Sequence, residues 1–193
     1  MKVLQKPEGA ELHQIENTSW PEFKTNCEAF FSIEHIDTAI LITFDVKNDY
    51  FKSKHRPIND AVHKDNCVEF FIQFDNETNY YNVEFNCLGI GKVAYGRDRD
   101  NRAFLPAPVV NKIGISRDLH LSKGYFNWKI GLSIPVEVFI FSGIKTLKGL
   151  RCKGNFYKCG DDLPNPHYMS WSKINTATPD FHLPEFFGNI DFV

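Results

Sequence analysis

The stretch Asn66–Gly89, NCVEFFIQFDNETNYYNVEFNCLG, decides the fold. In its first run Val68, Phe70, Ile72 and Phe74 share one parity, and Cys67, Glu69, Phe71 and Gln73 the other. That is the period-2 pattern of a half-buried strand. The second run inverts the phase, with Tyr81, Val83, Phe85 and Cys87 as the apolar set and Tyr80, Asn82, Glu84 and Asn86 as the polar one. Register must keep both apolar sets on one face, which predicts Phe74 opposite Tyr81, Ile72 opposite Val83 and Phe70 opposite Phe85. The other face then carries Gln73 beside Asn82, Phe71 beside Glu84, and Glu69 beside Asn86. Carboxylates, amides and a ring on one sheet surface suit a hydroxyl-rich ligand. The plain alternative is the solvated side of an antiparallel sheet.

Outward from this hairpin the alternation recurs. Phe30–Ile36 and Ala39–Val46 read as a strand pair, with Ile40, Ile42, Phe44 and Val46 inward. Lys92–Tyr95 and Val109–Ile115 read as further strands. Tyr125–Ile134 places Phe126, Trp128, Ile130, Leu132 and Ile134 on one face, so Trp128 is core. Leu150–Tyr157 turns Leu150, Cys152 and Phe156 inward and Arg151, Lys153 and Asn155 outward, adding donors to the polar face if it neighbours the hairpin. Phe187–Phe192 reads as a closing strand. Many short strands without an amphipathic helix predict a single all-β domain, an antiparallel β-sandwich of jelly-roll or immunoglobulin-like type.

Three segments fall outside the alternation. Residues 1–22 are polar and read as an extended lead-in anchored by Leu12, Ile15 and Trp20, with Trp20 as a hydrophobic plug. Lys47–Asp65 is a long polar loop with His55 and His63 in it, and it leads directly to Glu69. Asp161–Val193 is rich in aromatics and prolines, which predicts a wrapping loop.

Composition narrows the function. The chain has 193 residues, of which 42% are hydrophobic and 18 are Phe, enough for a core without disulfide or metal staples. A net charge of −2 from 22 basic and 24 acidic residues gives no broad basic field for nucleic acid or anionic lipid. No apolar run approaches the roughly 20 residues needed to span a bilayer. Met1–Ala10 has no signal-type apolar core. The five cysteines (Cys27, Cys67, Cys87, Cys152, Cys159) form no close-spaced pair and are expected as free buried thiols. A zinc site from Cys152, Cys159 and His167 matches no standard spacing. Asp98-Arg99-Asp100-Asn101 is not an EF-hand loop, because Ala103 stands at the sixth position, although an irregular calcium site remains open.

The ordered set of motifs resembles the family 9 carbohydrate-binding modules and their DOMON-like sandwich relatives. It comprises Phe44-Asp45-Val46-Lys47-Asn48-Asp49, Asp65 through Ile72, Leu132-Ser133-Ile134-Pro135, Ser170-Trp171-Ser172, and Pro184 ahead of Phe187-Gly188-Asn189-Ile190. Asn155-Phe156-Tyr157-Lys158-Cys159-Gly160 and Pro179-Asp180-Phe181-His182 place it nearest a family-9-like variety. The resemblance implies a sandwich that binds glucan or xylan ends between two aromatic side chains, with polar sheet residues as hydrogen-bond partners and often with structural calcium. By position Glu69 matches the family's sheet glutamate, and Asn82 and Glu84 fall where the family has an arginine and an asparagine. Phe181 falls at one stacking tryptophan, and Trp171 matches a tryptophan upstream of it. Where the other stacking tryptophan is expected, this chain has Val62 or His63. The expected sugar site is therefore His63, Glu69, Asn82, Glu84, Arg151, Lys153, Trp171 and Phe181, with no catalytic residues and no certain cofactor. Two other readings compete: a glycoside hydrolase using Glu69 and Glu84, and an interaction domain with a decayed site.

Overall fold

The computed structural model describes residues 11–193 apart from Lys123. It is a sandwich of two antiparallel sheets. The first contains β1 (His13–Ile15), β2 (Glu28–Ile36), β3 (Ala39–Asp49), β8 (Gly114–Ser122) and β9 (Tyr125–Pro135), in the order β1-β2-β3-β9-β8. The second runs β11-β10-β4-β5-β6-β7, where β4 is Cys67–Phe74, β5 Tyr80–Asn86, β6 Gly91–Gly96, β7 Arg102–Phe104, β10 Arg151–Cys159 and β11 Tyr168–Ser170. A closing strand, β12 (Gly188–Asp191), pairs with the start of β10. Among the described residues no helix is long and apolar enough to cross a membrane.

The inward parities are those of the alternation. Val68, Phe70, Ile72, Tyr81, Val83 and Phe85 meet Ile40, Ile42, Phe44, Val46, Trp128 and Ile130 between the sheets. At the centre Phe156 stacks on Phe31 with ring centroids 3.6 Å apart, and on Phe70 at 4.8 Å. The hairpin register differs from the expected one by two residues. Ile72 pairs with Tyr81, Phe70 with Val83 and Phe71 with Asn82, so Glu69 faces Glu84 and Cys67 faces Asn86. The turn is centred one residue earlier than that pairing required: directly after β4, Asn76 takes a left-handed φ of 63° and Glu77 N–H donates to Phe74 O. A shift of two preserves faces, so the polar set stays together.

Elsewhere the segment expected as a strand at Val109–Ile115 is a short helix, α1 (Ala107–Val110), followed by β8 from Gly114. Pro108 fixes a helical φ at the first turn. Leu12 is exposed rather than an anchor, whereas Ile15 and Trp20 are buried as expected. The part of the lead-in before residue 11 lies outside the described residues. All five cysteines are free and buried.

The largest departure concerns the second sheet's outer face. Far from being solvated, it carries a second apolar cluster of Trp20, Val62, Phe71, Tyr80, Tyr157, Ile174, Phe181 and Phe187. The C-terminal wrap and the Trp20 segment lie over it. Trp20 donates its indole N–H to Thr176 O at 3.1 Å, and Tyr157 donates its hydroxyl to Phe181 O at 3.1 Å.

Phe156 fills the space between the sheets among Phe31, Phe44, Phe70 and Trp171. Phe156→Ala is expected to lower unfolding free energy by about 3–5 kcal/mol, read from urea denaturation followed by far-UV circular dichroism.

Candidate functional site

Among the described residues, the cover over the outer face leaves an opening above Glu69 and Glu84. There a recess of about 150 Å³ opens, lined by Glu69, Glu84, Lys92, Arg102 and Cys159 from the sheet, His63 and Asp161 from loops, and Tyr168 and Asp180–His182 from the C-terminal region. β4, β5 and β6 each contribute to its floor, because Glu69 pairs with Glu84 and Glu84 with Lys92 across the strands. Three cross-strand neighbours on one face thus give a fixed line of acid, acid and base.

Glu84 is 2% exposed and stands among basic side chains. Its carboxylate lies 3.1 Å from Lys92 Nζ, 3.6 Å from Arg102 and 3.7 Å from His63 Nδ1, and accepts from Asn82 Nδ2 at 2.8 Å. Burial alone would raise its pKa, but His63, Lys92 and Arg102 outweigh it and hold the group ionised. Glu69 behaves oppositely. Burial and the neighbouring Glu84 charge push its pKa far above the usual carboxylate range, and the polar contact it makes is with the Cys159 thiol, at 3.2 Å. The floor therefore presents one carboxylate acceptor and one carboxylic acid able to donate. His182 accepts from Arg102 through Nε2 at 3.3 Å, which places its proton on Nδ1, donated to the Tyr80 hydroxyl at 2.8 Å.

Of the expected site residues, the structure brings His63, Glu69, Glu84 and Phe181 to the recess. Asn82 lies behind it, orienting Glu84. Phe181 is not the open stacking platform that was expected. Its ring lies against Tyr157 at 4.2 Å and 12°, leaving only part of it to the recess. Trp171 belongs to the other side of the sheet, edge-on to Phe31 and Phe156 and under Gly188. Arg151 and Lys153 share the outer face but sit at its far end, Lys153 opposite Gln73 and Asn189, beside a separate groove. Cys152 points between the sheets whereas Cys159 points outward, so the Cys152, Cys159 and His167 set is not assembled. The Asp98 carboxylate accepts from the Asp100 and Asn101 amides in an exposed turn.

Lys92, Arg99, Arg102, Asp161, Tyr168 and His182 were missed as site residues. Lys92 was detectable, since it alternates with Val93 on a strand that must neighbour β5. Arg102 and Tyr168 open the three-residue strands β7 and β11, too short to show a period, and Arg99, Asp161 and His182 arrive from loops, for which sequence periodicity carries no signal.

A second buried charge cluster was also missed. β3 carries an irregularity between Val46 and Asp49, where Asn48 has φ 56°. The extra residue turns Asp49 inward where strict alternation would turn it out. Asp49 Oδ2 accepts from Asn66 at 2.8 Å, Trp128 at 3.1 Å and Lys158 at 3.1 Å. Lys158, fully buried on β10, gives its other two protons to Cys159 O at 2.9 Å and His167 Nε2 at 2.8 Å.

The profile of carbohydrate-binding family 9 matches residues 2–192. The chain belongs to carbohydrate-binding family 9. This is a family of non-catalytic modules. A candidate carbohydrate-binding protein from Bacteroides uniformis is 33% identical over 96% of this chain and 87% of its own, with a TM-score of 0.91. Two structures of a family 9 module from Caldicellulosiruptor kristjanssonii share the fold at lower identity. The one in complex with cellotriose has 12% identity and a TM-score of 0.57 over 95% of this chain and 82% of its own. The one in complex with glucose has 13% and 0.55 over 95% and 84%. No curated protein matches the chain.

Two histidines of this family 9 domain are held neutral in the same way, each accepting from a permanent cation through Nε2. Burial, then Lys158, lowers the His167 pKa to about 4, and burial, then Arg102, lowers that of His182 to about 3. Below the unfolded value of about 6.5 the unfolded chain takes up protons that the folded chain does not, so stability falls with pH by up to about 1.4 kcal/mol per pH unit for each histidine. Urea denaturation at pH 7.5 and 5.5 is expected to show this loss, and His167→Asn with His182→Asn to reduce it. An unchanged pH dependence in the double variant would contradict the assignment.

Proposed function

We propose that the domain binds the terminal sugar of a glucan- or xylan-type oligosaccharide in the recess above Glu69 and Glu84, without turning it over. One observation carries this reading: on the outer face of a family 9 sheet, a recess of about 150 Å³ has room for about five waters, close to one pyranose ring. Family membership supplies the ligand class, and the residues supply its chemistry. Glu84 offers an acceptor, protonated Glu69 and the Arg102 guanidinium offer donors, and Tyr168 and Phe181 offer apolar wall for the C–H side of a ring. Hydroxyls stripped of water need such partners, because each unpaired buried polar group costs about 1–3 kcal/mol. Arg99 and Asp180, paired at 2.8 Å near the mouth, would select the second ring of a longer ligand.

A second reading, hydrolysis, draws on the opposed protonation of Glu69 and Glu84, the pattern of an acid–base pair. Against it, Lys92, Arg102 and Asn82 hold the Glu84 carboxylate ionised and fixed, which leaves room to accept a further hydrogen bond but lowers its strength as a base or nucleophile.

Calorimetric titration with glucose, cellotriose and xylotriose tests both. Binding is expected to weaken by about tenfold or more, or 1.4 kcal/mol, in Glu84→Gln and Arg102→Ala, and to be unchanged in Arg151→Ala and Lys153→Ala. Silence across the panel at millimolar sugar would overturn the proposal. Product formation that disappears in Glu69→Gln would establish the hydrolase instead.

A further inference from the structure

Two buried clusters in this domain gather the donor types that hold metal ions. In one, Cys27, Asp49 and His167 lie with their ligand atoms within 4.8 Å of one another; in the other, Cys67, Glu69 and Cys159 do. The first already has its cation. The Lys158 ammonium sits 3.1 Å from Asp49 and 2.8 Å from His167, with its three protons placed. The second has none, and among the described residues no lysine, arginine or histidine forms an ion pair with Glu69.

We propose that Cys67, Cys159 and Glu69 form a binding site for one thiophilic divalent cation of the zinc and cadmium type, its fourth coordination position facing the recess.

The strands set the geometry. Cys67 and Cys159 are direct partners across β4 and β10, and Glu69 is two residues along β4 on the same face. Three donors thus converge from adjacent positions on two hydrogen-bonded strands, without any loop having to close. Tetrahedral zinc with thiolates at about 2.3 Å and a carboxylate at about 2.0–2.2 Å requires donors roughly 3.3–3.8 Å apart. Cys159 Sγ and Glu69 Oε1 are 3.2 Å apart already, and the remaining separations need to close by about an ångström at most. Two thiolates favour a soft ion over calcium or magnesium. Glu69 and Cys159 line the recess, which provides the entry path. On binding, the two thiol protons and the Glu69 proton leave to solvent, and no electrons are transferred. Lys92 and Arg102, held near Glu84, offset the excess negative charge.

The site shares Glu69 and the recess with the sugar proposal but does not rest on it, and its test uses no sugar. The reduced full chain is titrated with cadmium, followed by thiolate-to-metal charge-transfer absorption in the ultraviolet, and with cobalt(II), followed by visible bands of tetrahedral coordination. One equivalent of each is expected. Cys67→Ser and Cys159→Ser should abolish the absorption, and Glu69→Gln should lower affinity by at least about tenfold. Zinc should raise the melting temperature of the parent protein and leave that of the cysteine variants unchanged. No absorption in the parent protein overturns the proposal whether or not the variants fold. So does absorption retained in the Cys67→Ser, Cys159→Ser double variant, since Cys27, Cys87 or Cys152 would then hold the metal.

Discussion

The β4 strand is buried on both faces, and the rest of the structure depends on that constraint. A sandwich needs one apolar face per sheet, but here Cys67 through Ile72 are all buried, the odd-numbered residues as fully as the even. A sheet covered on one side by its partner must be covered on the other by something else, and the chain supplies it from both ends. Trp20, Ile174, Phe181 and Phe187 close over Phe71, Tyr80 and Tyr157. The stack of Phe181 on Tyr157, of a kind worth about 0.5–1.5 kcal/mol beyond burial, fixes the wrap where it passes closest. The recess lies where this cover leaves Glu69, Glu84 and Lys92 open.

Where the cover stops, the sheet face changes from rings to charges, and each charge has a compensating neighbour. Glu84 is set among Lys92, Arg102 and His63, while Arg56 grips Asp65 through two bonds of 2.9 and 3.0 Å below the loop that delivers His63. Asp49 and Lys158 do the same between the sheets. Buried pairs of this kind add little net stability but cost about 3–5 kcal/mol when one partner is removed. Their effect is to fix where side chains point. The bond from Asn82 to Glu84 and the contacts of His182 with Arg102 and Tyr80 hold the recess in shape without a ligand, so binding there need not first order its walls.

Parity was legible in the sequence along the central hairpin and β9; depth was not. Alternation at Val68–Phe74 and Tyr81–Cys87 assigned every side chain of the hairpin to its observed face, and Trp128 to the core. The register escaped by two residues, because the Asp75–Asn79 turn has no sequence feature that fixes its length. The outer face was read as solvated or ligand-facing because Glu69, Asn82 and Glu84 are polar, and polarity of single residues does not reveal that a distant segment will cover them. The same limit explains Phe181. Its aromatic character was visible, but its partner was not, because alternation says only that Tyr157 faces outward and nothing about which segment covers it. Asp49 escaped for a different reason, since a bulge at Asn48 reverses parity and no pattern survives a bulge.

Family membership and site chemistry are therefore separate facts about this domain. The sandwich is shared with modules at 12–13% identity, which is what an architecture held by alternating apolar positions allows, since any sequence preserving the pattern keeps the fold. The recess depends on different features: which polar residues occupy Glu69, Glu84 and Lys92 on the sheet, and how far the C-terminal wrap extends over them. Both can change without disturbing the inter-sheet core, because Glu69, Glu84 and Lys92 point away from it. A ligand site on a sheet's outer face, roofed by a terminal segment, can diverge in its choice of sugar while β4 and β10 stay as they are. On the proposed reading, the positions that discriminate between sugars are those that loops bring in, Arg99 and Asp180 among them, more than the strand residues that identify the family.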